Sequence, residues 1–129
     1  MEYLYYLANT SLTLALVDYL HSRSQIRVSF FTVIHLIDGW VVRVKLQRPL
    51  NPQDDGDFRA FLNELGISYS PPIQVQMALR SLDSGQSLPS VMRRYQVVIV
   101  SHGSPKRSEI ETFCHSFVQE LGYCPETLA

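Results

Sequence analysis

Residues Ser101-His102-Gly103-Ser104 end an apolar run and stand just before a helical pattern that opens at Pro105. Chemistry collects at such turns, because loop amides and a helix N-terminus together favour a negative charge. Ser101, His102, Gly103, Ser104, Lys106 and Arg107 could hold a phosphate or carboxylate there. His102 could instead act as a base or a metal ligand. The phosphate cradles GxxxxGK(S/T) and GxGxxG are both absent, and the turn has a single glycine. Capping explains most of the same residues more simply. Ser104 suits an N-cap, Pro105 suits the first helical position, and Glu109 and Glu111 fall early in the helix. The anion site is kept as the alternative.

The string VVIVSHGSP resembles the HGS turn after the first strand of sirohydrochlorin-type chelatases. That likeness implies a histidine serving metal insertion at His102. It covers a few residues near the other end of the chain, with one helix after it, so the family is not adopted.

No other residues combine into a recognised catalytic pattern. His21, His35, His102 and His115 form no i, i+4 pair, no HExxH and no Cys-His ligand spacing. Asp54-Asp55-Gly56-Asp57 lacks the alternate spacing and terminal glutamate of a calcium loop, and its acids read as helix caps. There is no GxSxG. Cys114 falls on an apolar helical stripe and reads as an inert buried thiol. No catalytic residue, metal or cofactor is therefore expected.

Composition narrows the classes further. The chain has 129 residues, 46% hydrophobic and 18% charged, which suits one globular domain spanning 1–129. A net charge of −1 disfavours nucleic acid and anionic lipid as partners. Cys114 and Cys124 fit two free thiols in a reducing compartment. The apolar N-terminus carries Glu2 and Asp18, so neither a signal peptide nor a membrane span is expected. The expectation is a soluble cytoplasmic protein.

The positioning elements follow from periodicity. Residues 3–8 read as a strand. Asn9, Thr10 or Ser11 caps a helix to about His21, with Leu12, Ala15, Leu16, Tyr19 and Leu20 at helical spacing. Residues 26–37 and 40–47 are β-rich and flank Asp38-Gly39, a pair suited to a type I′ hairpin. That loop pairs Ile37 with Trp40, His35 with Val42, Val33 with Val44 and Phe31 with Leu46 across one apolar face. Asp54, Asp55 or Asp57 caps a helix carrying Phe58, Phe61, Leu62 and Leu65, with Gly66 as its stop. Pro71-Pro72 opens a helix over about 73–82. Ser87 and Pro89 open a short one ending at Arg94. Residues 95–100 read as a buried parallel strand. Residues 105–121 read as the last helix, its core face formed by Ile110, Phe113, Cys114, Phe117, Val118 and Leu121, with Gly122 as its stop.

The order β-α-β-β-α-(α-α)-β-α predicts an α/β (α+β) sandwich on one four-stranded sheet, helices mostly on one side. A ferredoxin-like core with a helical insertion fits this order, and a small Rossmann-like sheet is the alternative. The second hairpin face is the anomaly. Val28, Phe30, Ile34, Leu36 and Val41 are too apolar for a solvent face, whereas Arg43, Lys45 and Gln47 are too polar for a core. Either a helix covers part of it, with the arginine and lysine stems on the rim, or it is a docking patch. The docking reading makes the chain a non-enzymatic protein-binding module: an adaptor, assembly chaperone or accessory subunit. Its contacts would be Phe30, Ile34, Leu36, Trp40, Val41, Arg43 and Lys45, and its partner another protein, a peptide or a second copy. The alternative is an anion or small-molecule sensor, or an enzyme, built on residues 101–107.

Overall fold

A computed structural model describes the backbone of residues 1–121 and the side chains of residues 1–115. The expectations for the side chains of Phe117, Val118 and Leu121, and for Gly122 and Cys124, lie outside what is described. Along the chain run β1 (Glu2–Leu7), α1 (Thr10–Ser22), β2 (Val28–Leu36), β3 (Gly39–Leu46) and α2 (Pro52–Leu65). Then come β4 (Gly66–Ser68), α3 (Ile73–Asp83), α4 (Leu88–Tyr95), β5 (Val98–Gly103) and α5 (Arg107–Leu121).

One open sheet holds five strands in the order β4-β1-β3-β2-β5, and every neighbouring pair is antiparallel. The expected count of four strands is corrected by β4. This three-residue strand is too short to show a period, and it forms where the chain leaving α2 meets the edge of β1. Gly66 permits that meeting, since a Cβ there would lie 2.1 Å from the Tyr6 carbonyl oxygen. The expected parallel strand is also corrected. β5 is an antiparallel edge strand, and it runs on through Ser101, His102 and Gly103 to pair with β2.

The hairpin keeps its two faces but changes its turn. Ile37 and Asp38 form the loop, and Gly39 already belongs to β3, pairing with Leu36. Among the described residues, only Gln96, Gly85 and Gly103 have positive φ, so the expected type I′ turn is absent. Gly39 is needed for a different reason: a Cβ there would meet the Tyr6 hydroxyl at 2.5 Å and the Leu7 carbonyl at 2.8 Å. The register moves to His35↔Trp40, Val33↔Val42 and Phe31↔Val44. An even displacement preserves side-chain parity, so the residues assigned to each face remain together.

Both faces are covered, which corrects the expectation of helices mostly on one side. On the first face Phe31, Val33, Trp40, Val42 and Val44 pack with Leu16 and Val17 of α1, Phe58 and Leu62 of α2, and Ile110 and Cys114 of α5. Each large side chain fully buried there contributes about 1.5–3 kcal/mol. Two tyrosines of β1 tie down α2: Tyr3 donates to Asp55 at 2.5 Å and Tyr5 to Asn63 at 2.8 Å. On the second face Ile34 and Val41 pack under Val75, Ala78, Leu79 and Leu82 of α3 and Val91 of α4.

The caps show how local these choices are. Asn9 caps α1 and Ser87 caps α4, as their sequences suggest. Asn51, not one of the three aspartates, caps α2 by accepting from the Asp54 amide at 2.8 Å. Pro52 can then take the first helical position, where its missing N–H costs nothing.

Candidate functional surface

The residues expected to form a docking face are separated by α3 and α4. Ile34, Val41 and Arg43 are buried beneath the helix pair, and Leu36 packs at its edge. Trp40 is buried on the opposite face against His35 and Phe113. Phe30 stays exposed, and the Lys45 side chain is partly exposed. The open docking patch on the hairpin is thus corrected to an interior face with an exposed end. An α/β topology can return two helices over that face, and apolar residues on both sides of the hairpin drive it.

Arg43 explains how a charge tolerates this position. Its side chain is only 2% exposed. One Nη donates to Asp83 at 2.9 Å, and the other lies 2.8 Å from the second Asp83 oxygen. Such two-pronged pairing is the strongest a guanidinium makes. Glu2 stands 3.8 Å away, and Lys45 reaches Asp83 at 3.7 Å. Arg43 Nε is buried without a hydrogen-bond partner among the described residues.

The network continues to His102. Arg43 donates to Thr32 Oγ1 at 3.2 Å, and Thr32 Oγ1 lies 2.8 Å from His102 Nδ1. Thr32 is buried, so its own hydroxyl proton needs an acceptor. With His102 Nδ1 as that acceptor, the imidazole proton would sit on Nε2. The ring stacks on Phe30, with centroids 5.0 Å apart and planes within 4°. Burial, with the charge of Arg43, holds the His102 pKa below the usual imidazole value, and Asp83 partly offsets them. The structure therefore joins Phe30, Lys45 and His102, which the sequence had assigned to two different sites.

The proposed anion turn does not assemble. Successive residues of β5 point to opposite faces, so Ser101 and His102 diverge. Ser101 is 1% exposed, and its Oγ has no hydrogen-bond partner among the described residues. Gly103 takes φ +143°, and α5 begins at Arg107, two residues beyond the expected start at Pro105. Ser104 therefore does not cap the helix. The Pro105 carbonyl instead meets His21 Nε2 at 2.7 Å. Arg107 is engaged by Asp18 at 2.6 Å and Glu111 at 3.0 Å, while Ser104 and Lys106 are exposed.

The open apolar surface lies around α3 and was not singled out by the sequence. Ile73 is 66% exposed and Met77 42%, four residues apart on one side of the helix. With Arg80, Ser81, Ser84 and Tyr95 they line a groove of about 270 Å³. A wider, mainly apolar groove of about 470 Å³ includes Ile37, Tyr69, Gln74 and Val98. Gln74 and Tyr95 join the two grooves, because the Gln74 amide donates to the Tyr95 carbonyl. The available signal was the pair of apolar residues Ile73 and Met77, off the α3 core positions Val75, Ala78, Leu79 and Leu82.

Among the described residues no group of three or more His, Cys, Asp or Glu side chains could hold a metal ion. No helix there is long and apolar enough to cross a membrane. No protein-family model matches the chain, and neither a curated protein nor a solved structure matches it.

Proposed function

We propose that the chain is a cytoplasmic, non-enzymatic protein-binding module, an adaptor, assembly chaperone or accessory subunit, that docks its partner along α3. The observation that carries this reading is the exposure of Ile73 and Met77 beside two grooves. Exposed apolar side chains that border concave surface are a usual mark of protein contact. The docking patch thus moves from the sheet face to the outside of the helix that covers it. The order β4-β1-β3-β2, with α1 between β1 and β2 and α2 between β3 and β4, supports reading a ferredoxin-like core extended by α3, α4 and β5. The anion-site alternative has less support, since its side chains diverge.

A photo-crosslinking residue placed at Ile73 or Met77 in cells is expected to trap a discrete protein. The same residue at Asp57, on exposed α2 surface, is expected to trap none. Absence of any adduct at both α3 positions would refute the reading.

A further inference from the structure

We infer that the partner segment is an acidic amphipathic peptide, whose apolar side chains sit on Ile73 and Met77 and whose carboxylates face Arg80 and Arg94. This inference rests on the docking surface proposed above and adds the chemistry of its occupant. Within residues 67–100 the charged residues are Arg80, Asp83, Arg93 and Arg94. Asp83 is engaged by Arg43 and Lys45. The three arginines are exposed and form no ion pair among the described residues. Three arginines against one aspartate give this segment +2, which leaves −3 on the remainder of a chain whose net charge is −1. Helix dipoles favour basic residues in the last turns of α3 and α4. They do not account for Arg80 lining the same groove as the exposed side chains of Ile73 and Met77, or for Arg94 lying over the Tyr95 ring of that groove.

That convergence is specific. Arg80 lines the narrower groove with Ile73, Met77 and Tyr95. The Arg94 guanidinium lies over the Tyr95 ring, 5.5 Å from its centroid. Ile73 and Met77 are spaced i, i+4, so they form one apolar strip, with Arg80 lining the same groove. A helical peptide with anchors at i and i+3 or i+4, and acids beside them, complements both features. Polynucleotide complements only the charge, because a phosphate backbone gains nothing from Ile73 or Met77.

The test is selection of short random peptides displayed on phage against the intact protein. The wild type, Ile73→Asp and the triple reversal Arg80→Glu/Arg93→Glu/Arg94→Glu are compared, each checked for fold by circular dichroism. The expected result is peptides rich in Asp or Glu three or four residues from Leu, Phe or Trp. Their binding is expected to weaken roughly tenfold or more in both variants, and to weaken with added salt. Neutral or basic peptides that bind through Ile73 but ignore the charge reversal would overturn the acidic class and leave the docking surface standing. No selected peptides, or peptides indifferent to Ile73→Asp, would overturn the docking surface itself. Oligouridine binding lost in the triple variant but kept in Ile73→Asp would overturn the peptide in favour of nucleic acid. Concentration-dependent self-association lost in both variants would overturn it in favour of a second copy of the chain.

Discussion

Removing Asp83 is expected to cost far more than removing the arginine it serves. Arg43 is 2% exposed and Asp83 32%, so the two ends of this pair differ in access to water. Asp83→Ala leaves a buried guanidinium whose nearest carboxylate is Glu2, at 3.8 Å. Stranding one member of a buried pair costs about 3–5 kcal/mol. The partial exposure of Asp83 argues for the low end, about 3 kcal/mol. Arg43→Met removes the desolvation cost of the guanidinium along with the pair, including that of the Nε, which has no hydrogen-bond partner among the described residues. It keeps most of the stem's packing, so its cost is about 1 kcal/mol. The double variant is expected to resemble Arg43→Met alone, because no buried charge remains. In a domain this size 3 kcal/mol corresponds to a fall of about 12 °C in Tm. Urea unfolding at constant m-value measures all three variants. Equal costs for the two single variants, or a double variant no better than Asp83→Ala, would refute the account of Arg43 as a buried charge neutralised chiefly by Asp83.

Four further outcomes are expected. Burial holds the pKa of His35 and of His102 below the ordinary value of 6.5, and Arg43 reinforces this at His102. As pH falls through about 6.5 the unfolded chain takes up protons that the folded chain refuses, so stability should decline from pH 7 downward. His102→Gln should flatten that decline in urea titrations, and an unchanged profile would refute the role given to His102. Gly66→Ala places a Cβ 2.1 Å from the Tyr6 carbonyl and should destabilise by about 3 kcal/mol. Gly56→Ala meets nothing within 4 Å inside α2 and should stabilise by up to about 1 kcal/mol; chemical denaturation of the pair checks the opposite signs. Ser101→Ala removes a buried hydroxyl without a partner among the described residues, so it should be neutral or raise stability by about 1 kcal/mol in the same assay.

Much of the architecture was legible because it is written in local periods. Alternation along residues 28–46 assigned Phe31, Val33, Trp40, Val42 and Val44 to one face and Ile34, Val41 and Arg43 to the other. That assignment survived a change of register because parity survives any even displacement. The helices were visible in the spacing of Leu16 and Leu20, Phe58 and Leu62, and Val75 and Leu79, and Asn9 and Ser87 cap in place. Local pattern stops where one segment meets another. Asp38-Gly39 has the composition of a type I′ turn, yet Gly39 answers to Tyr6, more than thirty residues away. β4 exists only because β1 offers it an edge, and Ser101, His102 and Gly103 became strand because β2 offered them one.

The candidate surface divides in the same way. The sequence by itself determined that the hairpin has one face too greasy for water and too charged for a core. Only the tertiary structure decided that α3 and α4 cover that face, that Asp83 neutralises Arg43 beneath them, and that His102 joins Phe30 at the open end. It also turned Ile73 and Met77 outward beside Arg80 and Tyr95. The physical reason is that side-chain alternation is a property of neighbouring residues. Which face meets water depends on the packing of segments far apart in the chain.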